Sequence, residues 1–256
     1  MKRLLFVLMV IGVLVISGCA KQAEESTADK TLPEEKSSAD VNIYEQKTDS
    51  GESAKPAEEE VKAPEKAVTP EMQKLLDKST SVSSLRYTYN EFIKGTTGYS
   101  AVVLFKGTKM RQYIKPGTNT YSGVFKAGER FDTIYFDLST GVKKAYCEKA
   151  TNCETDYMNK EVDVSDRKFI TETPFDILEE VKYETLVRDE MVEGKTAKIA
   201  EIKMSDENIK AVWIWDYKGI PLKYEIRSAD NEKLKSVTFS GLTINDVKDA
   251  EFVHSS

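Results

Sequence analysis

The stretch "AVWIWDYKGIPLKYEI", Ala211 to Ile226, decides the fold. In an extended chain Trp213, Trp215 and Tyr217 fall on one face, Val212 and Ile214 on the other. A turn at Asp216–Gly219 folds "PLKYEI" back as a neighbouring strand. That turn sets Trp215 opposite Ile220 and Trp213 opposite Leu222, which puts Trp213, Trp215, Leu222 and Tyr224 on one face. A slip of one residue would move every partner to the other face. A sheet with water on one side alternates more cleanly than this strand does, so both of its faces are expected to be covered.

"YSAVVLF" repeats the feature, with Tyr99, Ala101, Val103 and Phe105 set against Val102 and Leu104. Around these two stretches lie "LRYTYNEFI", "KMRQYIK", "NTYSGVF", "DTIYFDL", "KKAYC", "YETLVRDEMV", "TAKIAEIKM" and "LKSVTFSGL". They are rich in Val, Ile, Thr and aromatics and are divided by Gly, Pro, Asn or Asp. With "IKAVWIWDY" and "PLKYEIRS" they make about eleven strands at roughly ten-residue spacing, too close for crossover helices, so the sheet is antiparallel. A sheet of that size is expected to curl strongly. Two short helices interrupt it. "TPEMQKLLDK" has Thr69 to cap, Pro70 at the first helical position and Met72, Leu75 and Leu76 on one face. "TPFDILEEV" from Thr173 adds Asp176 at the capping-box position and the apolar set Phe175, Leu178 and Val181. The class is mainly antiparallel β with one or two helices, in one domain spanning 70–256, long enough for a sizeable core.

Ahead of the domain, "VLVISGCAKQAEES" changes solvent preference abruptly at Cys19. The apolar run from Leu4 to Ile16 has 13 residues and follows Lys2 and Arg3. About 20 are needed for a membrane span, so the run reads as an export signal, 1–18, rather than an uncleaved anchor. Ile16-Ser17-Gly18-Cys19 resembles the prokaryotic lipoprotein signal. That resemblance implies that Cys19 carries a diacylglyceryl group, becomes the first mature residue, and anchors the rest to a membrane outside the cytoplasm. From Ala20 to Thr69 there are 13 Asp and Glu against 7 Lys, with Pro33, Pro56 and Pro64, and few side chains able to bury area. This composition predicts a disordered acidic tether, with a root-mean-square reach of roughly 40 Å. The tether accounts for the whole chain's net charge of −6, so that charge is no evidence for an acidic surface on the folded part.

Cys147 and Cys153 sit in "AYCEKATNCETDY" in a compartment that permits oxidation, and read as a disulfide. A redox pair favours Cys-x-x-Cys, and zinc would need ligands the chain lacks, since its single histidine, His254, lies at the end and reads as a solvated tail residue. No phosphate loop, nucleophile elbow or metalloprotease motif is present, and no histidine inside the domain can serve as general base. Asp132, Asp137 and Asp156 flank strands and read as solvated strand ends. Lys and Arg alternate with acids and make no basic stripe, which argues against nucleic acid. The expectation is a protein without catalysis, cofactor or metal.

Signal, tether, N-terminal helix, long meander and the Trp213-Ile214, Gly219 and Pro221-Leu222 positions together resemble the lipoprotein-localisation-factor superfamily, the half-barrel carriers of the LolA and LolB type. The resemblance covers roughly Pro70 to Phe252. It implies a strongly curled half-barrel with helices on its concave face and an apolar cavity for acyl chains. On that basis Trp213, Trp215, Leu222, Tyr224, Val103 and Phe105 are expected to line the cavity beneath the helix that starts at Pro70. A lipid or lipoprotein acyl group is the expected ligand, in a carrier, acceptor or sensor. The alternative is an envelope protein-interaction or sensor module with a packed core and no lipid cavity.

Overall fold

The computed structural model describes residues 66–255. The signal 1–18, Cys19 and the tether as far as residue 65 lie outside the described residues. The first helix, α1 (Pro70–Ser79), starts where its capping residues place it, with the Met72 N–H donating to Thr69 Oγ1 at 3.2 Å. Eleven strands then build one antiparallel sheet. In chain order these are β1 (Ser84–Ile93), β2 (Ser100–Lys106), β3 (Lys109–Tyr113), β6 (Thr133–Asp137), β7 (Val142–Tyr146), β8 (Glu161–Val162), β9 (Leu186–Val192), β10 (Lys195–Lys203), β11 (Ile209–Trp215), β12 (Pro221–Arg227) and β13 (Lys233–Ile244). Across the sheet the order is β8-β7-β6-β3-β2-β1-β13-β12-β11-β10-β9. Every neighbouring pair except β3–β6 and β1–β13 is consecutive in the chain. The long-range β1–β13 ladder joins the two meanders.

The eleven strands are not quite those expected. "NTYSGVF" forms a separate two-stranded ribbon, β4 (Asn119–Thr120) with β5 (Gly123–Val124), and the missing place is taken by β8, two residues long. The ribbon holds only the pairs Asn119–Val124 and Thr120–Gly123 around a two-residue turn, and Tyr121 of that turn lies against Tyr99, ring centroids 4.9 Å apart.

The second helix, α2 (Pro174–Val181), carries the capping box in full: the Thr173 N–H donates to Asp176 Oδ2 at 2.8 Å and the Asp176 N–H to Thr173 Oγ1 at 3.3 Å. Its Ile177, Leu178 and Val181 are buried. α2 reaches from β2, where Phe175 meets Phe105, to β10. In a flat sheet those strands would stand about 24 Å apart at 4.8 Å per spacing, twice the roughly 12 Å length of an eight-residue helix. The sheet therefore curls around α2, open between its edges β8 and β9, as a half-barrel.

Directly paired residues share a face, so the ladders trace the concave side strand by strand. Leu85, Phe105, Met110 and Phe136 form one rung, and Tyr87, Val103, Gln112, Ile134 and Ala145 the next. Val212, Tyr224 and Val237 continue the same face across the other meander. Together with Met72 and Leu75 of α1 these make one hydrophobic core. α1 sits at the β11–β12 turn, where Gly219, φ +68°, lets the Leu75 carbonyl approach so closely that a Cβ would lie 1.9 Å from its oxygen.

Candidate functional site

At one rim of the half-barrel the β2–β3 and β6–β7 turns rise beside the start of α2. Gly107, φ +60°, makes the first turn possible, and the Asp137 carboxylate fastens the second by accepting from the Ser139 N–H at 3.0 Å. Between these turns and α2 lies a cleft of about 460 Å3, with Phe105, Phe175, Leu138 and Val82 as its apolar wall and Ser83, Thr108 and Asp176 at its margin. The Phe105 and Phe175 rings meet in this wall, centroids 5.8 Å apart.

Deeper on the concave face the interior is filled. Tyr87, Tyr89, Tyr224, Phe239 and Val237 are fully buried, and Tyr87 and Phe239 meet edge to face at 5.3 Å. A polar belt runs through this filling. The Glu91 side chain, 1 % exposed, pairs with Lys235 Nζ at 2.8 Å. Tyr224 donates to Glu172 Oε2 at 2.9 Å, and Lys210 of β11 pairs with Glu180 of α2. Burial, followed by the nearby carboxylates, pushes the phenols of Tyr87 and Tyr224 far above their ordinary range, so both stay neutral; Tyr224 donates to Glu172, whereas the Tyr87 hydroxyl has no hydrogen-bond partner among the described residues. Of these contacts Lys210–Glu180 ties α2 itself to the sheet, Tyr224–Glu172 ties the segment just before it, and Glu91–Lys235 joins β1 to β13, so polar and charged groups stand where an acyl cavity would be uniformly apolar.

The residues expected to line one cavity are divided between two faces. Val103, Phe105 and Tyr224 stand on the concave side with α2. Trp213 and Trp215 stand on the convex side, because Trp213 pairs with Lys223 and not with Leu222. The turn is the one expected, with the Trp215 N–H donating to Ile220 O at 2.9 Å, but Leu222 is an extra residue in the ladder, a β-bulge between Pro221 and Lys223. Beyond the bulge every partner shifts by one. Trp213, 1 % exposed, is sealed by Lys223, whose Nζ lies 3.8 Å from the ring centroid. The cover over the concave side is α2, with α1 at the β11–β12 end. Only Phe105 of the six reaches the cleft, and Phe175, Leu138 and Val82 were missed as wall residues. Phe175 had a signal, its place on the apolar side of the capped helix. Leu138 and Val82 sit in turns and had none.

Cys147 and Cys153 are joined, Cα atoms 6.0 Å apart. The loop they close is organised by Asp132, which is fully buried rather than solvated. Its carboxylate accepts from the Glu148 N–H at 3.0 Å, the Lys149 N–H at 3.2 Å and Asn152 Nδ2 at 3.0 Å. Asp137 and Asp156 do not converge with it. His254 is also placed otherwise than expected: its ring stacks on Tyr146, centroids 4.0 Å apart, its Nδ1 lies 3.3 Å from Glu148 Oε1, and its side chain is 12 % exposed. The tail is drawn there by Arg86 and Arg111, which bind Glu251. Among the described residues no group of three or more His, Cys, Asp or Glu is arranged to hold a metal ion, and no helix is long and apolar enough to cross a membrane.

Neither a protein-family model nor a curated protein matches the chain. Solved structures do. MucB is similar at 12 % identity over 73 % of this chain and 64 % of its own, with a TM-score of 0.43. The Pseudomonas aeruginosa MucA/MucB complex matches at 13 % identity over 72 % of this chain and 61 % of that chain, TM-score 0.40. The LolA superfamily protein NE2245 from Nitrosomonas europaea matches at 13 % identity over 73 % of this chain and 99 % of its own, TM-score 0.29. The chain spans less than two thirds of the length of the MucB structures it matches.

Proposed function

We propose that this chain is a membrane-anchored extracytoplasmic lipoprotein, lipidated at Cys19, whose half-barrel holds an acyl chain of a lipid or lipoprotein without chemistry of its own. The observation that carries the reading is the rim cleft. Its wall of Phe105, Phe175, Leu138 and Val82 gives up water when a chain enters, and its volume of about 460 Å3 matches a short acyl segment. Each methylene buried there contributes about 0.8 kcal/mol, so a segment of six to eight carbons gains about 5–6 kcal/mol, a Kd of roughly tens to hundreds of micromolar. The polar margin leaves a headgroup in water. The test is titration of the purified chain with a fluorescent fatty acid. Saturable binding that Leu138→Asp weakens at least roughly tenfold supports the cleft, and absence of saturable binding by folded protein sinks it.

A second reading, an envelope protein-interaction module, is favoured by the filled concave interior. Tyr87, Tyr89, Phe239 and the Glu91–Lys235 pair occupy the space that a deep acyl cavity would need. Under this reading the same titration gives no binding, and the half-barrel serves as a rigid frame for its edges and loops.

A further inference from the structure

Among the described residues the β9 edge of the sheet is bare: β9 has no neighbour there beyond β10, its residues from 187 to 191 are exposed, and Val187 and Met191 are 51 % and 61 % exposed. An edge of this kind presents unpaired N–H and C=O groups to any strand that can lie beside it. Their positions follow from the turn. β9 passes into β10 through Glu193 and Gly194, φ 47° and 73°, a two-residue turn with both residues left-handed. In such a hairpin the flanking pair, here Val192 with Lys195, exchanges hydrogen bonds, and the pairs alternate from there. Met191 with Thr196 and Asp189 with Lys198 are therefore pairs of the other kind, and the peptide groups of Asp189 and Met191 point away from β10.

We propose that this edge pairs antiparallel with the same edge of a second copy of the chain, about a twofold axis at Asp189. The strand Leu186-Val187-Arg188-Asp189-Glu190-Met191-Val192 is self-complementary about that residue. Arg188 falls opposite the partner's Glu190, Val187 opposite the partner's Met191, and Leu186 opposite the partner's Val192. Asp189 sits on the axis with its outward peptide groups, as the hydrogen-bonding phase requires. Its charge is balanced within each chain by Lys198, Nζ to Oδ1 3.0 Å. Either axis sets one carboxylate against its own copy, but moving it to Glu190 would also put Arg188 opposite the partner's Val192, losing both ion pairs. The β-bulge between Arg188 and Leu186 falls at the outer limit of the overlap and leaves Arg188–Glu190 regular. Charges on an edge strand ordinarily repel pairing. Arranged in this order they repel foreign strands and fit a copy of themselves.

The test uses the full chain carrying Asp189→Cys. Cα atoms of a hydrogen-bonded pair are about 5.5 Å apart, within the roughly 4.4–6.8 Å that a disulfide spans. The two copies of position 193 would lie about 27 Å apart at 3.4 Å per residue, so Glu193→Cys on the same hairpin is the collision control. A covalent dimer on non-reducing gels from Asp189→Cys, with the wild type and Glu193→Cys monomeric, supports the pairing. In the Asp189→Cys background, Arg188→Glu should lower the yield roughly tenfold as two cross-strand ion pairs become repulsive. Adding Glu190→Arg should restore it. Equal cross-linking at 189 and 193, no dimer from folded protein, or a yield that ignores the charge reversal overturns the proposal.

Discussion

Phe175 on α2 packs its ring against Phe105 on β2, centroids 5.8 Å apart, and both rings line the rim cleft. Both rings lie at the helix–sheet seam, with Phe175 half-buried. Phe175→Ala is expected to destabilise the domain by about 1–2 kcal/mol, the loss for a partly buried aromatic side chain. Urea unfolding should register it as a lower midpoint at unchanged slope.

Gly219 and Gly107 both have positive φ, yet they should respond differently to alanine. At Gly107 nothing lies within 4 Å of an added Cβ, so the cost is the left-handed backbone alone, about 1–2 kcal/mol. At Gly219 the Cβ would sit 1.9 Å from the Leu75 carbonyl oxygen, and α1 must move away. Thermal melts should show Gly219→Ala as clearly the worse of the two, and equal melting points would argue against the seating of α1 on this turn.

Both tryptophans face away from the cleft. Filling the cleft with an acyl chain should therefore leave tryptophan emission nearly unchanged, whereas Lys223→Ala, which uncovers the Trp213 ring, should alter it without ligand. A large spectral shift on lipid titration would place the ligand on the convex side.

Stability should fall in acid partly through Glu148. Burial works against its charged form, but the Tyr135 hydroxyl, the Arg111 guanidinium and His254 outweigh that and hold the carboxyl below its ordinary value of 4.5. A carboxyl depressed on folding contributes stability that is full above the unfolded pKa and is lost as pH falls through the folded one. The contribution is thus complete above about pH 5 and fades below 4.5. Glu148→Gln should lower stability at pH 7 and flatten the acid limb of a pH–stability curve.

Reducing Cys147–Cys153 opens a short loop, and the chain-entropy loss is about 2 kcal/mol. Circular dichroism of the reduced protein should keep its β signal, since β6 and β7 remain paired and Asp132 still gathers the loop amides. Loss of the sheet on reduction would assign the disulfide a larger part.

The sequence was most legible where the physics is local. Thr69-Pro70 and Thr173-Pro174 start the helices they predict, because a cap needs only residues within one turn. Runs of β-branched and aromatic residues gave the strands, and their spacing gave the antiparallel meander. β8 escaped notice because two residues carry no periodicity, and His254 and Asp132 were misplaced because their burial depends on Arg86, Arg111 and a loop brought from elsewhere in the chain.

By itself, then, the sequence determined that this is a meander of about eleven antiparallel strands with two capped helices and a local disulfide. The tertiary structure decided which face each side chain serves. One bulge residue, Leu222, shifts the β11–β12 ladder and sends Trp213 to the convex side, away from Val103, Phe105 and Tyr224. A strand apolar on both faces holds no internal signal of which is inward. That choice is made by the curl of the whole sheet around α2 and by the hydrogen bonds of a ladder whose register no single strand contains.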